Sequence, residues 1–411
     1  MQKRNFYMKQ PKTLIFLGDG MADEPIPELG GKTPIEVAQT PGMDAIAAAG
    51  CSGSLLTLPE GYPTSSDVAN MSVLGCDLAT EYAGRGVLEA ASQNIPLKPN
   101  DIVFRMNLIH VQNGILKDFS GGHPHQQDAE ALIETLNEHL ATPHIRFYPG
   151  VSYRNLLVIS GEVYNNNIAT EKPDDNQGEP VAEHLPRAQC AAAEPTVQML
   201  HKLMRDAADI LENQPVNQAA RAAGHAPANQ IWINSGGSPK PFRTLQQRYS
   251  ISGAIISAVD VIKGLGHFLG MDVINVPGAT GYIDTNYEGK AAAAVEALQT
   301  HDFVYLHLEA IDEVSHAQDL QLKIETIEAF DRRIIVPVLE KLGIGTATFA
   351  LLPDHPVPIR LGKHTREPVP VSICGPGWQP DHIQHYSEAS CPQGALGAMP
   401  AGGLMQKLFG I

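Results

Sequence analysis

Three short segments of this 411-residue chain carry Asp and His at spacings that could do chemistry: Gly18-Asp19-Gly20, Asp312-Glu313-Val314-Ser315-His316, and Asp354-His355 followed by Lys363-His364. Mixed carboxylate and imidazole sets suit Mn²⁺, Zn²⁺ or Mg²⁺, and this number of donors suffices for two ions about 3.5–4 Å apart, the clamp used in phosphoryl transfer. Each segment alone has a plainer reading, as a turn, a helix-surface i,i+4 pair and a solvated loop. A fourth segment, Pro63-Thr64-Ser65-Ser66-Asp67, runs from a Pro/Gly-rich lead into a helical pattern ending at Gly75, which puts Ser65 or Ser66 near a helix N-terminus. Such a serine is either an N-cap or a nucleophile whose charge a metal and helix-end amides stabilise.

Position joins these segments. Thr13–Gly18 (TLIFLG), Phe303–Leu308 (FVYLHL) and Thr346–Pro353 (TATFALLP) are short apolar runs, each followed by one of the acidic segments, and Val369–Cys374 (VPVSIC) is a fourth such run. They read as strands buried on both faces. Helical patterns over Asn286–Thr300 and Leu320–Leu342 lie between them, so the fold class is α/β, a parallel sheet covered by helices. Ligands of such sheets bind beyond the carboxyl ends of the strands, where Asp19, Asp312 and Asp354 stand. Thr33-Pro34-Ile35-Glu36 reads as a capping box and Thr40-Pro41 as a second helix start, before a stop at Gly50.

Other chemistries are weaker. Gly30-Gly31-Lys32-Thr33 lacks the earlier glycine of a P-loop, where Ile26 stands, and Gly264-Leu265-Gly266 with Gly270 is one residue off the dinucleotide fingerprint. The net charge of −16 opposes a nucleic-acid partner. No apolar run is long enough to span a bilayer, and the basic N-terminal segment Met1–Pro11 lacks the apolar region of a signal peptide, so the expectation is a cytoplasmic protein with no membrane partner. Five scattered cysteines (Cys51, Cys76, Cys190, Cys374, Cys391) fit small buried hydrophobes in a reducing compartment rather than disulfides or a zinc site.

From about Asp101 the texture changes. A mixed stretch (DIVFRMNLIH, a helix near Gln127–Leu140, VSYRNLLVI) continues into the polar Asn165–Glu183 and the Gly/Ser/Pro-rich Asn234–Pro241, read as loops. The expected organisation is a discontinuous catalytic domain, residues 1–100 and 248–411, with a smaller α/β domain of residues 101–247 inserted as a lid or substrate domain. His123-Pro124-His125 falls in that insert, and substrate contact or solvation suits it better than metal binding.

Taken together, Gly-Asp19-Gly, Ser-Ser66-Asp, Asp312-x-x-x-His316, Asp354-His355 and Lys-His364-Thr-x-x-Pro-Val-Pro resemble the alkaline phosphatase superfamily, and specifically its cofactor-independent phosphoglycerate mutases of archaeal type. The likeness extends through LGDGMAD, ELGGKTPIEVAQTPGMD, AGRGVLEAAS, FRMN, VSYRNLLV, ISAVDVIKGLG, ATGYIDTNYEGKAAAA and HLEAIDEVSH. It implies an alkaline-phosphatase-like core and interconversion of 3-phosphoglycerate and 2-phosphoglycerate through a phosphoserine. It also implies that Asp19, Ser66, Asp354 and His355 hold one divalent ion and Asp312, His316 and His364 the other, with Mn²⁺ first and Zn²⁺, Mg²⁺ or Co²⁺ as alternatives. Ser66 is the implied nucleophile because an acidic residue, Asp67, follows it.

The small phosphorylated hydroxy-acid substrate is anionic, which points to Arg85, Arg105, Arg154 and Lys263, with His123, as its ligands. Two residues depart from the family pattern, Asn70 where His is usual and Ser315 where Gly is common, and the expectation is that they reshape the substrate pocket. The rival readings are a homoserine kinase-like phosphotransferase, which the segment PVNQAARAAGHAPANQIW suggests, and a metal-dependent phosphatase. A non-catalytic binding protein is the remaining class, disfavoured by the completeness of the donor set.

Overall fold

The computed structural model describes residues 11–410, so the basic segment before Pro11 lies outside the described residues. The chain divides into two compact units, residues 83–241 and the chain on either side of them. The inserted unit thus begins and ends earlier than 101–247. The shift at its start has a local cause: the helix Arg85–Ser92 packs on the strands Ile102–Gln112 and Gln230–Gly237 of that unit.

The flanking unit is built on eight strands: β1 (Thr13–Gly18), β2 (Gly50–Leu55), β3 (Gly253–Ile256), β4 (Asp272–Ile274), β5 (Phe303–Leu308), β6 (Thr348–Leu352), β7 (Val369–Cys374) and β8 (Gly397–Met399). Their order across the sheet is β4-β3-β5-β1-β6-β7-β2-β8. All neighbours are parallel except β7, which is antiparallel to both β6 and β2. The sheet is therefore mostly, not wholly, parallel. The connection from β6 to β7 carries the His355 and His364 loop instead of a crossover helix, and the strand returns beside β6 in the opposite sense.

Register sets the site. Gly18 pairs with Leu308 and Leu17 with Leu352, so the next residues along β1, β5 and β6 bring Asp19, Glu309 and Asp354 to one edge. Every residue of these three strands is buried, in keeping with their mostly apolar character. On one face Leu14, Phe16, Val304, Leu306, Phe349 and Leu351 pack against the helices Pro41–Ala48, Tyr287–Thr300 and Leu320–Phe330. Each such side chain contributes about 1.5–3 kcal/mol by leaving water.

The periodic stretch Leu320–Leu342 forms one continuous rod with a π-helical segment, Asp331–Ile335, between the helices Leu320–Phe330 and Val336–Leu342. Pro337 has no N–H to continue the ladder, and the wider turn before it accommodates the ring. That turn has a second use. The Asp331 carboxylate accepts from the backbone N–H of Gly42 at 3.1 Å and of Met43 at 2.7 Å, so it caps the helix Pro41–Ala48, where the Thr40 side chain makes no capping bond. Thr33, in contrast, forms the capping box with Glu36 that its sequence indicates.

The unit of residues 83–241 has a five-stranded sheet whose pairings are all antiparallel, packed against the helices Gln126–Leu140 and Glu194–Leu211 around Phe104, Leu132, Phe147, Leu200 and Trp232. Asn234–Gly237, read as loop from its glycines, completes the strand Gln230–Gly237. The glycines serve close approach: a Cβ at Gly237 would lie 1.8 Å from the carbonyl oxygen of Ala83, and one at Gly236 would lie 2.4 Å from the Phe104 ring.

Asp331→Ala leaves two buried N–H donors without an acceptor and is expected to cost about 2 kcal/mol or more, read from the urea midpoint. A change below about 0.5 kcal/mol would show that the helix Pro41–Ala48 is capped by another group.

Candidate active site

Beyond the ends of β1, β5 and β6 the Asp and His side chains form two adjoining clusters. In the first, His355 Nε2 stands 3.4 Å from Asp19 Oδ1, 3.4 Å from Asp354 Oδ2 and 3.3 Å from Ser66 Oγ. In the second, the Nε2 atoms of His316 and His364 are 2.9 Å apart and lie 3.3 and 3.4 Å from the two carboxylate oxygens of Asp312. The rings of His355 and His364 stack at 3.8 Å between centroids and join the clusters.

Each side chain owes its place to its element. The helix Ala310–His316 carries Asp312 and His316 on one face at i,i+4. His316 Nδ1 donates to the Gly362 carbonyl at 2.8 Å, which turns Nε2 toward Asp312 as the nitrogen that could bind a metal once deprotonated. Gly20, at φ +62°, lets the loop after β1 pass so close to Asp312 that a Cβ would lie 2.6 Å from its Oδ1. The helix Ser66–Val73 begins at Ser66 with the extended Ser65 as N-cap residue, so Ser66 is free of the capping role and its hydroxyl points toward His355.

The electrostatics of this edge require a positive partner. Burial, followed by the charges of Asp354, Glu309 and Asp312, raises Asp19 well above the ordinary carboxylate range. Burial, opposed by a hydrogen bond with Asp19 and reinforced by Asp312, pushes Asp354 up to about 8. Burial acts on Asp312 too, but the His316 and His364 imidazoles beside it outweigh it and hold that carboxyl well below its usual range. Burial would lower His316, yet its bond to Asp312 lifts it to about 9. Asp19 Oδ1 and Asp312 Oδ1 are buried without a hydrogen-bond partner. Asp19 with Asp354 and His355, and Asp312 with His316 and His364, each converge closely enough to hold one metal ion.

Comparison with known proteins decides the family. The chain is 46% identical over 403 residues to the 2,3-bisphosphoglycerate-independent phosphoglycerate mutase of Methanosarcina acetivorans, covering 97% of this chain and 100% of that protein. The chain belongs to the 2,3-bisphosphoglycerate-independent phosphoglycerate mutases. The family model of that description matches residues 47–217. The cofactor-independent phosphoglycerate mutase of Thermoplasma acidophilum has a similar structure, with TM-score 0.64, 27% identity and coverage of 97% of this chain and 98% of that one. A Pyrococcus horikoshii protein of known structure is similar at TM-score 0.82 and 27% identity, with 97% of each chain covered.

In this mutase-family chain the residues singled out for the substrate fall into two places. Arg85 Nε and Arg105 Nε bind the two oxygens of Glu89 at 2.9 and 3.1 Å. Arg154 lies 4.6 Å from the Tyr153 ring centroid, and His123 meets the same ring edge-on at 5.1 Å. Burial would raise Glu89, but the charges of Arg105, Arg85 and Arg154 keep it low and ionised. These four candidates belong to the unit of residues 83–241, whereas Lys263 sits on the helix Asp260–Phe268 of the other unit.

The two residues that depart from the family pattern are both buried and hydrogen-bonded. Ser315 is fully buried and its hydroxyl bonds back to the Ile311 carbonyl of its own helix. Asn70 is fully buried behind Asp354. Sequence reasoning also passed over His307 and Lys290. His307 Nε2 donates to Asp19 Oδ2 at 2.9 Å while Ser257 Oγ meets its Nδ1 at 3.2 Å, and burial, with Lys290 next in effect, takes this imidazole down to about 3. Lys290 Nζ is 3.3 Å from the His307 carbonyl, and burial brings it down to about 8. The available signals were a histidine inside an apolar strand and a lysine on the apolar face of a helix.

At pH 7 Asp354 and His316 hold protons that a ligand must lose, so divalent ion binding is expected to release more than one proton per chain and to weaken as pH falls from 8 to 6. Calorimetric titration of Mn²⁺ in buffers of different ionisation enthalpy measures this. A release near zero at pH 7 would show that these two groups are not ligands.

Proposed function

We propose that the chain interconverts 3-phosphoglycerate and 2-phosphoglycerate through a phosphoserine at Ser66, at a site holding two divalent ions. The observation that supports this most directly is the convergence of two Asp/His donor sets with the Ser66 hydroxyl at the start of a buried helix. Asp19, Ser66, Asp354 and His355 would hold one ion and Asp312, His316 and His364 the other. Mn²⁺ is the first choice, because the donors mix imidazole nitrogen with hard carboxylate oxygen. The ions supply Lewis-acid stabilisation of charge on phosphoryl and hydroxyl oxygens when bound.

The chain's own groups account for the remaining steps. Ser66 Oγ attacks phosphorus, the bond from phosphorus to the substrate oxygen breaks, and the departing glycerate oxygen takes up a proton equivalent to the one Ser66 lost. Glycerate, retained by its carboxylate, turns so that its other hydroxyl attacks the phosphoserine and regenerates Ser66. Arg85, Arg105, Arg154 and Lys263 supply positive charge for the phosphate and carboxylate, and His123 a hydrogen bond. The unit of residues 83–241 serves as the lid that keeps water from the phosphoserine. The relatives that match the chain over nearly its full length carry the mutase name, which favours this reading over the kinase-like alternative.

Purified protein with Mn²⁺ is expected to turn 3-phosphoglycerate into 2-phosphoglycerate with no nucleotide and no bisphosphoglycerate present, followed by phosphorus NMR. Inorganic phosphate as the sole product would replace this reading with a phosphatase. Phosphohomoserine from homoserine and ATP, with 3-phosphoglycerate inert, would replace it with the kinase. Ser66→Ala should lower turnover by roughly a thousandfold or more without moving the melting temperature by more than a few degrees, whereas Ser65→Ala stays active. The reverse pattern would move the nucleophile to Ser65.

A further inference from the structure

Asn70 lies one helical turn beyond Ser66, and all of its amide is engaged. Its Nδ2 donates to the Ser66 carbonyl at 2.8 Å and to Asp354 Oδ2 at 2.8 Å, and its Oδ1 accepts from the Tyr305 hydroxyl. Asn70 and Tyr305 are both fully buried. A flipped amide would set Oδ1 against two acceptors, so the orientation is unique, and the phenol is the donor that completes it.

Tyr305 and His307 alternate along Phe303–Leu308 and so face the same side of the sheet. From that side His307 meets Asp19 directly, while Tyr305 reaches Asp354 through Asn70. Two side chains of one rigid strand thus aim the two carboxylates of the cluster that includes Ser66. A histidine here would have at most one N–H on any ring nitrogen and could not donate to both the Ser66 carbonyl and Asp354 from one nitrogen. The amide can.

We infer that Tyr305 and Asn70 are positioning residues: they aim the Asp354 carboxylate and lock the first turn of the helix that presents Ser66. The inference rests on the two-metal phosphoserine reading above. Outer-shell hydrogen bonds of this kind are worth about 10–100-fold in metal affinity or activity.

The test compares wild type, Tyr305→Phe and Asn70→Ala by competitive chelator titration with Mn²⁺ alone, by steady-state kinetics and by melting of the metal-free protein. Tyr305→Phe keeps the ring and its packing and removes only the donor. It is expected to weaken one of two Mn²⁺ ions about 10-fold and lower kcat about 10-fold, leaving the second ion and the KM for 3-phosphoglycerate within about twofold, and Asn70→Ala to do more in the same direction. Wild-type affinity for both ions and unchanged kcat in Tyr305→Phe would overturn the inference. So would equal weakening of both ions in step with a lowered melting temperature, the mark of a merely structural role. Wild type that binds two ions and depends on Ser66 separates these failures from failure of the parent reading. Wild type that binds fewer than two removes the reading and this inference with it.

Discussion

Burying like charges at one sheet edge is the constraint from which the rest of the eight-stranded unit follows. The register of β1, β5 and β6 leaves Asp19 and Asp354 side by side and out of water, and Asp312 enters the same space from the helix Ala310–His316. An uncompensated carboxylate there would protonate, as the upward shifts of Asp19 and Asp354 show. Divalent ions would remove that cost and turn it into ion affinity.

Holding such an arrangement requires that the loops after β1 and β6 stay in fixed relation. A buried cation does this. Lys323 Nζ binds Asp23 Oδ2 at 2.8 Å and the Val357 carbonyl at 2.9 Å, while Asp23 accepts from the Ile359 N–H, so one ammonium ties the Asp19 loop to the Asp354 loop. Neither Lys323 nor Asp23 exposes its side chain. Such a pair is weak as a source of net stability but strongly penalises any shift that separates its members. Gly20, at positive φ, and the His316–Gly362 contact belong to the same design, in which backbone close to the donors leaves them one orientation.

The unit of residues 83–241 gathers Arg85, Arg105 and Arg154 around the carboxylate of Glu89. Glu89 engages Arg85 and Arg105 through Nε, a geometry that orders the guanidinium planes.

Much of this was legible in the residues themselves. Continuous apolar runs such as TLIFLG and FVYLHL can only be strands buried on both faces, and an Asp or His directly after such a run must emerge at the carboxyl edge of the sheet, so Asp19, Asp312 and Asp354 could be grouped before any coordinates. The i,i+4 spacing of Asp312 and His316 likewise places both on one face of a helix. Contacts between residues distant in sequence were decided only by tertiary structure, because they depend on register and packing that no local pattern encodes. These include Asp331 capping a helix nearly three hundred positions earlier, the reversal of β7, the glycines of Gly236-Gly237 serving close packing, and Asn70 joining Tyr305 to Asp354. Periodicity and composition report which face of an element is buried. They are silent on which polar atom meets which across that face, since that follows from where the whole chain brings the two elements together.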